Sequence, residues 1–367
     1  MGFGDAVGPF VGLAKDQFHL SNAVASLIPF VGFSMFGLLS VPMGVFQDRR
    51  GKKTVLMIGL LTALVGLLNA SFGLTTFVRF LLTVLLLDAG AAILQVAGNP
   101  IMRDVSAPGK YARNLSLAQF VKAIGSVSGP IIPWVANRYF HASWQVMFPI
   151  YAVALAITLL AVGTLKVKED ASERHAATFS SCLALLGNGY VAAMVGAIFF
   201  YVGAEVCMSA NIPPFLKEQF GIDIASKGLL GTFLFFIALT IGRFSGGVIL
   251  NWMAPRKFLG LTCGVSIFGL LGLYVPVAAF AAAACFVIGL GFANIFPLVF
   301  STAVEALPRH ANALSGLMVT AIVGGAILPP LMGVVADHSS VLIGFVVPLA
   351  AIAYVTAVGL FAKPKAT

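Results

Sequence analysis

"LLLDAGAAILQVAGNP", residues 85–100, sets Asp88, Gln95 and Asn99 among apolar and small residues, and the solvent around this stretch decides the fold. Composition identifies that solvent. The 367 residues are 59% hydrophobic and 10% charged, with a mean hydropathy of +1.00. A soluble domain carries roughly 25% charged residues. Apolar runs of about 20 residues, enough to cross a hydrocarbon core about 30 Å thick, recur along the chain. Backbone polar groups in lipid must pair within the protein, and these runs lack the alternation of strands, so the spans are helices. The stretch lies in a membrane. The chain reads as an all-α membrane protein of twelve transmembrane helices, near 1–14, 22–46, 54–74, 77–102, 112–137, 144–165, 185–213, 226–250, 258–276, 278–303, 311–336 and 341–362.

The net charge of +9 follows topology. With twelve spans, fifteen Lys and Arg residues fall on one side, including Arg49, Arg50, Lys52, Lys53, Arg103, Lys110 and Arg113. Five fall on the other, and Lys122 and Arg243 lie inside spans. This bias makes the rich side cytoplasmic. Both termini are therefore expected in the cytoplasm, the protein in a bacterial inner membrane, and no nucleic-acid partner is implied. Only 14 residues precede Lys15, about 21 Å of helix, so the first helix is expected to be truncated. Cys182, Cys207, Cys263 and Cys285 are scattered through the spans and read as small core residues. No metal site and no cofactor are expected. The Walker A pattern is absent.

"KVKEDASERHAATFSS" (166–181) separates six spans from six, giving an N-terminal half 1–166, a cytoplasmic linker 167–184 and a C-terminal half 185–367. The halves echo each other. "NPIMRDVSAPGKYARN" (99–114) aligns with "FPLVFSTAVEALPRHAN" (296–312), and "SGPIIPWVANR" (128–138) resembles "GGAILPPLMGVVADH" (324–338). Two six-helix pseudo-repeats suit a transporter whose substrate site lies between repeats near the midplane. Pro29, Pro130, Pro213, Pro214, Pro297, Pro329 and Pro330 are expected to break or bend helices.

"GVFQDRRGKK" (44–53) matches the G-x-x-x-D-R-x-G-[RK]-[RK] loop of the major facilitator superfamily, with Gly44, Asp48, Arg49 and Gly51 in place. Arg243, in "IGRFSGG", aligns with the corresponding loop of the second half and reads as structural or gating. "LQVAGNP" (94–100), "RNLSLAQ" (113–119), "YVGAE" (201–205) and "SGLMVTAIVGGAILPPLMGVVAD" (315–337) resemble the fucose–galactose–glucose:proton symporter family. The resemblance implies the major facilitator fold and a first-span carboxylate serving proton coupling, matched by Asp5. The family's fourth-span glutamate position holds Gln95 here, and Lys122 stands where the family carries a small or amide residue.

Depth counted from loop charges places Asp5, Asp88, Gln95, Lys122 and Glu205 near the midplane. Asp88, Gln95 and Asn99 are spaced i, i+7, i+11 along one helical stripe, and Gln119, Lys122 and Ser126 form a second. Such stripes line a water-filled chamber of sugar size, where amides and carboxylates bond to hydroxyls. Asp5, Asp88 and Glu205 are the candidate proton carriers. Gln95, Asn99, Gln119, Lys122, Asn211 and Asn294 are the candidate substrate ligands. Plainer roles stand beside these: a structural ion pair of Lys122 with Asp5 or Asp88, a packing or gating contact for Glu205, and interhelical bonds for Asn211 and Asn294.

The expected function is a monomeric secondary transporter, not an enzyme: a proton-coupled monosaccharide symporter working by alternating access. Its partners are a sugar, protons and membrane lipid. The alternative substrate is a sugar acid or organic anion with Lys122 as counter-ion. A non-transporting sensor would need a soluble domain that the chain does not offer.

Overall fold

The structure is a computed structural model that describes residues 14, 17–20, 24, 27–164, 179–222 and 229–362. The expected first span, with Asp5, lies outside the described residues, as does most of the linker. Every regular element among the described residues is helical. In chain order, the α-helices of ten residues or more are α1 (Leu27–Arg50), α2 (Lys52–Ser71), α3 (Phe77–Asp104), α4 (Tyr111–Phe140), α5 (Met147–Thr164), α6 (Gly189–Phe220), α7 (Leu229–Ile249), α8 (Pro255–Gly272), α9 (Ala278–Phe292), α10 (Ile295–Ala306), α11 (Ala311–Thr320), α12 (Gly324–His338) and α13 (Val346–Phe361). Among the described residues nine helical segments are long and apolar enough to cross a membrane, and Phe233–Ile249 is a shorter apolar helix. Together with α8, these fit a twelve-helix architecture.

Two expected spans are interrupted. Residues 278–303 divide into α9 and α10 at Ala293 and Asn294, and 311–336 divides into α11 and α12 at the 3-10 turn Ala321–Val323. Neither interruption falls on a proline. Helix continues through Pro42, Pro100, Pro213, Pro214, Pro329 and Pro330, and Pro297 lies in the first turn of α10. Of the breaks or bends expected at prolines, no break of the helix falls on these residues. A missing N–H is tolerated in a span where neighbours re-satisfy the freed carbonyl, and in a first turn that N–H has no intrahelical partner to lose.

By contacts the chain forms two compact units, one of residues 1–101, 124–183 and 309–320, the other of 102–123, 184–308 and 321–367. In the first unit α2 packs closely on α3: a side chain at Gly90 would collide with Ala63 and the Gly59 carbonyl. Leu60, Leu67, Phe80, Val84, Met147 and Phe148 fill the core beside that crossing. In the second unit Gly289 lies against the Phe235 carbonyl and Gly291 against Ser266. Helix packing in lipid relies on such close approach because lipid chains are as apolar as leucine.

One contact recurs in both units. Lys53, opening α2, donates to the Gly163 carbonyl at the end of α5 (2.8 Å). Arg256, opening α8, donates to the Gly359 and Leu360 carbonyls at the end of α13 (3.0 and 2.6 Å). Each cation meets the unsatisfied carbonyls at a helix C-terminus, where the dipole favours positive charge.

Candidate substrate and coupling site

The opening stretch forms the middle of α3, and its polar residues point into the protein: Asp88, Gln95 and Asn99 are 6%, 2% and 4% exposed. Their spacing along a 3.6-residue helix makes one stripe. Gly32 on α1 leaves room for the Asp88 carboxylate, because a Cβ there would collide with it. Ser315 of α11 donates to the Val96 carbonyl of α3 at 3.1 Å, which anchors α11 beside this stripe.

The loop motif works as a crossing of α1 and α11. Gly44 lies against the Asn312 carbonyl and the Gly316 Cα, both 3.3 Å from where its Cβ would be. Asn312 then ties the end of α1: its Nδ2 donates to Asp48 Oδ1 (2.6 Å), and its Oδ1 accepts from Gln47 Nε2 (3.1 Å). Gly51 turns the chain into α2 at φ 89°, a left-handed angle that glycine adopts without steric cost, while its N–H donates to the Gln47 carbonyl (2.8 Å). Arg49 is exposed at the end of α1. Gln47, Asn312 and Gly316 were not singled out from sequence. Their signal is spatial, since Asn312 lies 264 residues from Asp48.

The second unit carries a charged cluster across three helices. Arg243 of α7 is 5% exposed. Its Nη2 meets Glu205 Oε1 of α6 at 3.4 Å, and its Nη1 donates to the Gln119 carbonyl of α4 at 3.5 Å. Its Nε is buried without a hydrogen-bond partner. The fully buried Tyr201, one turn before Glu205, lies beside both charges. Phe120 and Phe244 seal α4 against α7, with ring centroids 5.3 Å apart, and Gly247 admits Leu117.

Gln119 is buried and Lys122 half-buried on α4. Asn294, at the α9–α10 interruption, donates from Nδ2 to the Gly242 carbonyl of α7 (2.7 Å), and Gly246 makes room for its amide. Its Oδ1 is buried without a partner. Asn211 donates to the Cys207 carbonyl of its own helix (2.9 Å). The structure thus brings Glu205, Arg243 and the Gln119 backbone together, and the α3 stripe together. Asp5 lies outside the described residues. No cluster of metal-ligating side chains occurs among the described residues.

These features agree with what the chain is similar to. It is 28% identical over 358 residues to the glucose/galactose transporter of Brucella abortus, covering 94% of this chain and 87% of the relative. It is 24% identical over 362 residues to the L-fucose-proton symporter of Escherichia coli, covering 88% and 81%. Its fold matches the crystal structure of the transporter FucP in the outward conformation, with TM-score 0.84, 20% identity and coverage of 99% and 96%. The Major Facilitator Superfamily model matches residues 1–330. A polytopic helical chain with the glycine–aspartate loop, broken spans and buried polar stripe, matched by that model over most of its length, belongs to the Major Facilitator Superfamily.

Proposed function

We propose that this protein is a proton-coupled monosaccharide symporter. The observation that carries the reading is the buried stripe Asp88–Gln95–Asn99 on α3, in a chain whose relatives are named glucose/galactose transporters and L-fucose-proton symporters. Amide and carboxylate groups along one buried stripe can exchange hydrogen bonds with the hydroxyls of a polyhydroxylated ligand.

Asp5 and Asp88 exchange a proton with the outside when the site faces out. Protonation removes their charge, and sugar binds beside Gln95, Asn99, Gln119 and Lys122, with Asn211 and Asn294 as further amides of the second half. The loaded protein then presents the site to the cytoplasm, the halves 1–166 and 185–367 moving about it while the linker 167–184 joins them. Each proton entering down 100 mV supplies about 2.3 kcal/mol, which sustains roughly 50-fold sugar accumulation since 1.4 kcal/mol is tenfold. The protein acts as a monomer in a bacterial cytoplasmic membrane with both termini inside. A sugar acid is a second reading, favoured by the half-buried Lys122 on the same helix as Gln119.

Uptake into proteoliposomes with an imposed pH gradient, over a panel of D-glucose, D-galactose, L-fucose and D-glucuronate, tests this. A neutral hexose is expected to accumulate with proton entry. Accumulation is expected to stop in Asp5→Asn and in Asp88→Asn. Undiminished sugar-driven proton flux in both variants would refute the assignment.

A further inference from the structure

We infer that Glu205 sets charge selectivity: by neutralising Arg243 it makes the second half's contribution to the site suited to neutral polyols and closed to carboxylated ones. The inference rests on the sugar-transport reading and names its substrate class.

The argument starts from the guanidinium. Arginine stays protonated in proteins and carries five N–H donors. Here Arg243 is almost wholly buried, and its contacts with Glu205 at 3.4 Å and with the Gln119 carbonyl at 3.5 Å lie at the long end of the hydrogen-bond range. Its Nε is buried and unpartnered. The cation therefore has donor capacity to spare, and capacity of this kind recognises carboxylates. What stands in the way is Glu205. Its side chain is 22% exposed against 7% for Arg243, so an arriving ligand meets the carboxylate before the guanidinium. A carboxylated sugar is repelled there, whereas a hydroxyl can donate to Glu205. Selectivity commonly needs such a repulsive element besides the attractive ones.

The geometry also excludes a simpler use of Arg243 as the counter-ion of an anionic substrate, because its charge is already balanced within the protein. Removing the charge of Glu205 while keeping its shape uncovers that counter-ion. Tyr201, which lies beside both charges, adds a second donor to the site so created.

The test is D-glucose binding to the purified full-length protein, competed by D-glucuronate, in the wild type, Glu205→Gln, Glu205→Asp and the double variant Glu205→Gln/Arg243→Gln. Glucuronate is expected to compete about tenfold better relative to glucose in Glu205→Gln, a change of about 1.4 kcal/mol. It is expected to improve less in Glu205→Asp, where the charge is retained but withdrawn, and to return to the wild-type ratio in the double variant. An unmoved ratio in a glucose-binding Glu205→Gln overturns the inference, as does a gain that persists without Arg243. Should Glu205→Gln not fold, an unmoved ratio in Glu205→Asp overturns it equally. A wild type that binds neither glucose, galactose nor fucose defeats the sugar-transport reading instead.

Discussion

The two units keep ionisable groups inside the protein by different means. In the first, Asp88 is accommodated by space: Gly32 on the neighbouring helix has no side chain to displace its carboxylate. In the second, Glu205 is accommodated by charge, through Arg243. Neutralising Glu205 would leave the buried Arg243 guanidinium without that partner. The contrast is between close packing around α3 and an ion pair that joins α6 to α7.

Four substitutions break or sharpen that contrast. Arg243→Gln is expected to have the largest effect on stability, about 3–5 kcal/mol, because it removes the buried cation paired with Glu205, and adding Glu205→Gln should recover most of the loss. Denaturation of the detergent-solubilised protein measures both; a double variant no more stable than the single would mean that the pair is not the source. Gly32→Ala comes next, at roughly 1–3 kcal/mol for the overpacked crossing. It should also depress proton-coupled uptake, since Asp88 must move, and unchanged uptake would show that the space is not needed. Asn312→Ala removes the bonds to Gln47 and Asp48 at a cost of about 1–2 kcal/mol, seen as a lowered unfolding midpoint that Asn312→Asp does not rescue, because the new carboxylate faces Asp48. Ser315→Ala should cost the least, about 0.5–1.5 kcal/mol, for one bond to the Val96 carbonyl. A loss larger than that of Asn312→Ala would reverse the order of importance along α11.

Much of the fold was legible residue by residue. α3 was expected over 77–102 and runs Phe77–Asp104; α7 was expected over 226–250 and runs Leu229–Ile249. Apolar length and loop charge suffice for such limits because lipid leaves a span no alternative to helix. The interruptions were not legible. Asn294 sits where α9 ends because its amide has Gly242 of α7 to bond, a partner 52 residues away, whereas the prolines that suggested breaks lie within helices. The buried stripe of α3 could be read from spacing, since all three residues share one helix. The role of Arg243 could not, because the loop alignment that made it structural says nothing about Glu205 38 residues earlier.

What the sequence alone determined is the medium, the helical spans and which polar residues lie at depth. These depend on local composition and on the cost of unpaired backbone groups in hydrocarbon. What only the tertiary structure decided is which of those polar residues keep company: Asp88 with the gap at Gly32, Glu205 with Arg243, Asn312 with Asp48. Periodicity gives a side chain's direction around its own helix. It carries no record of the helix that direction will meet.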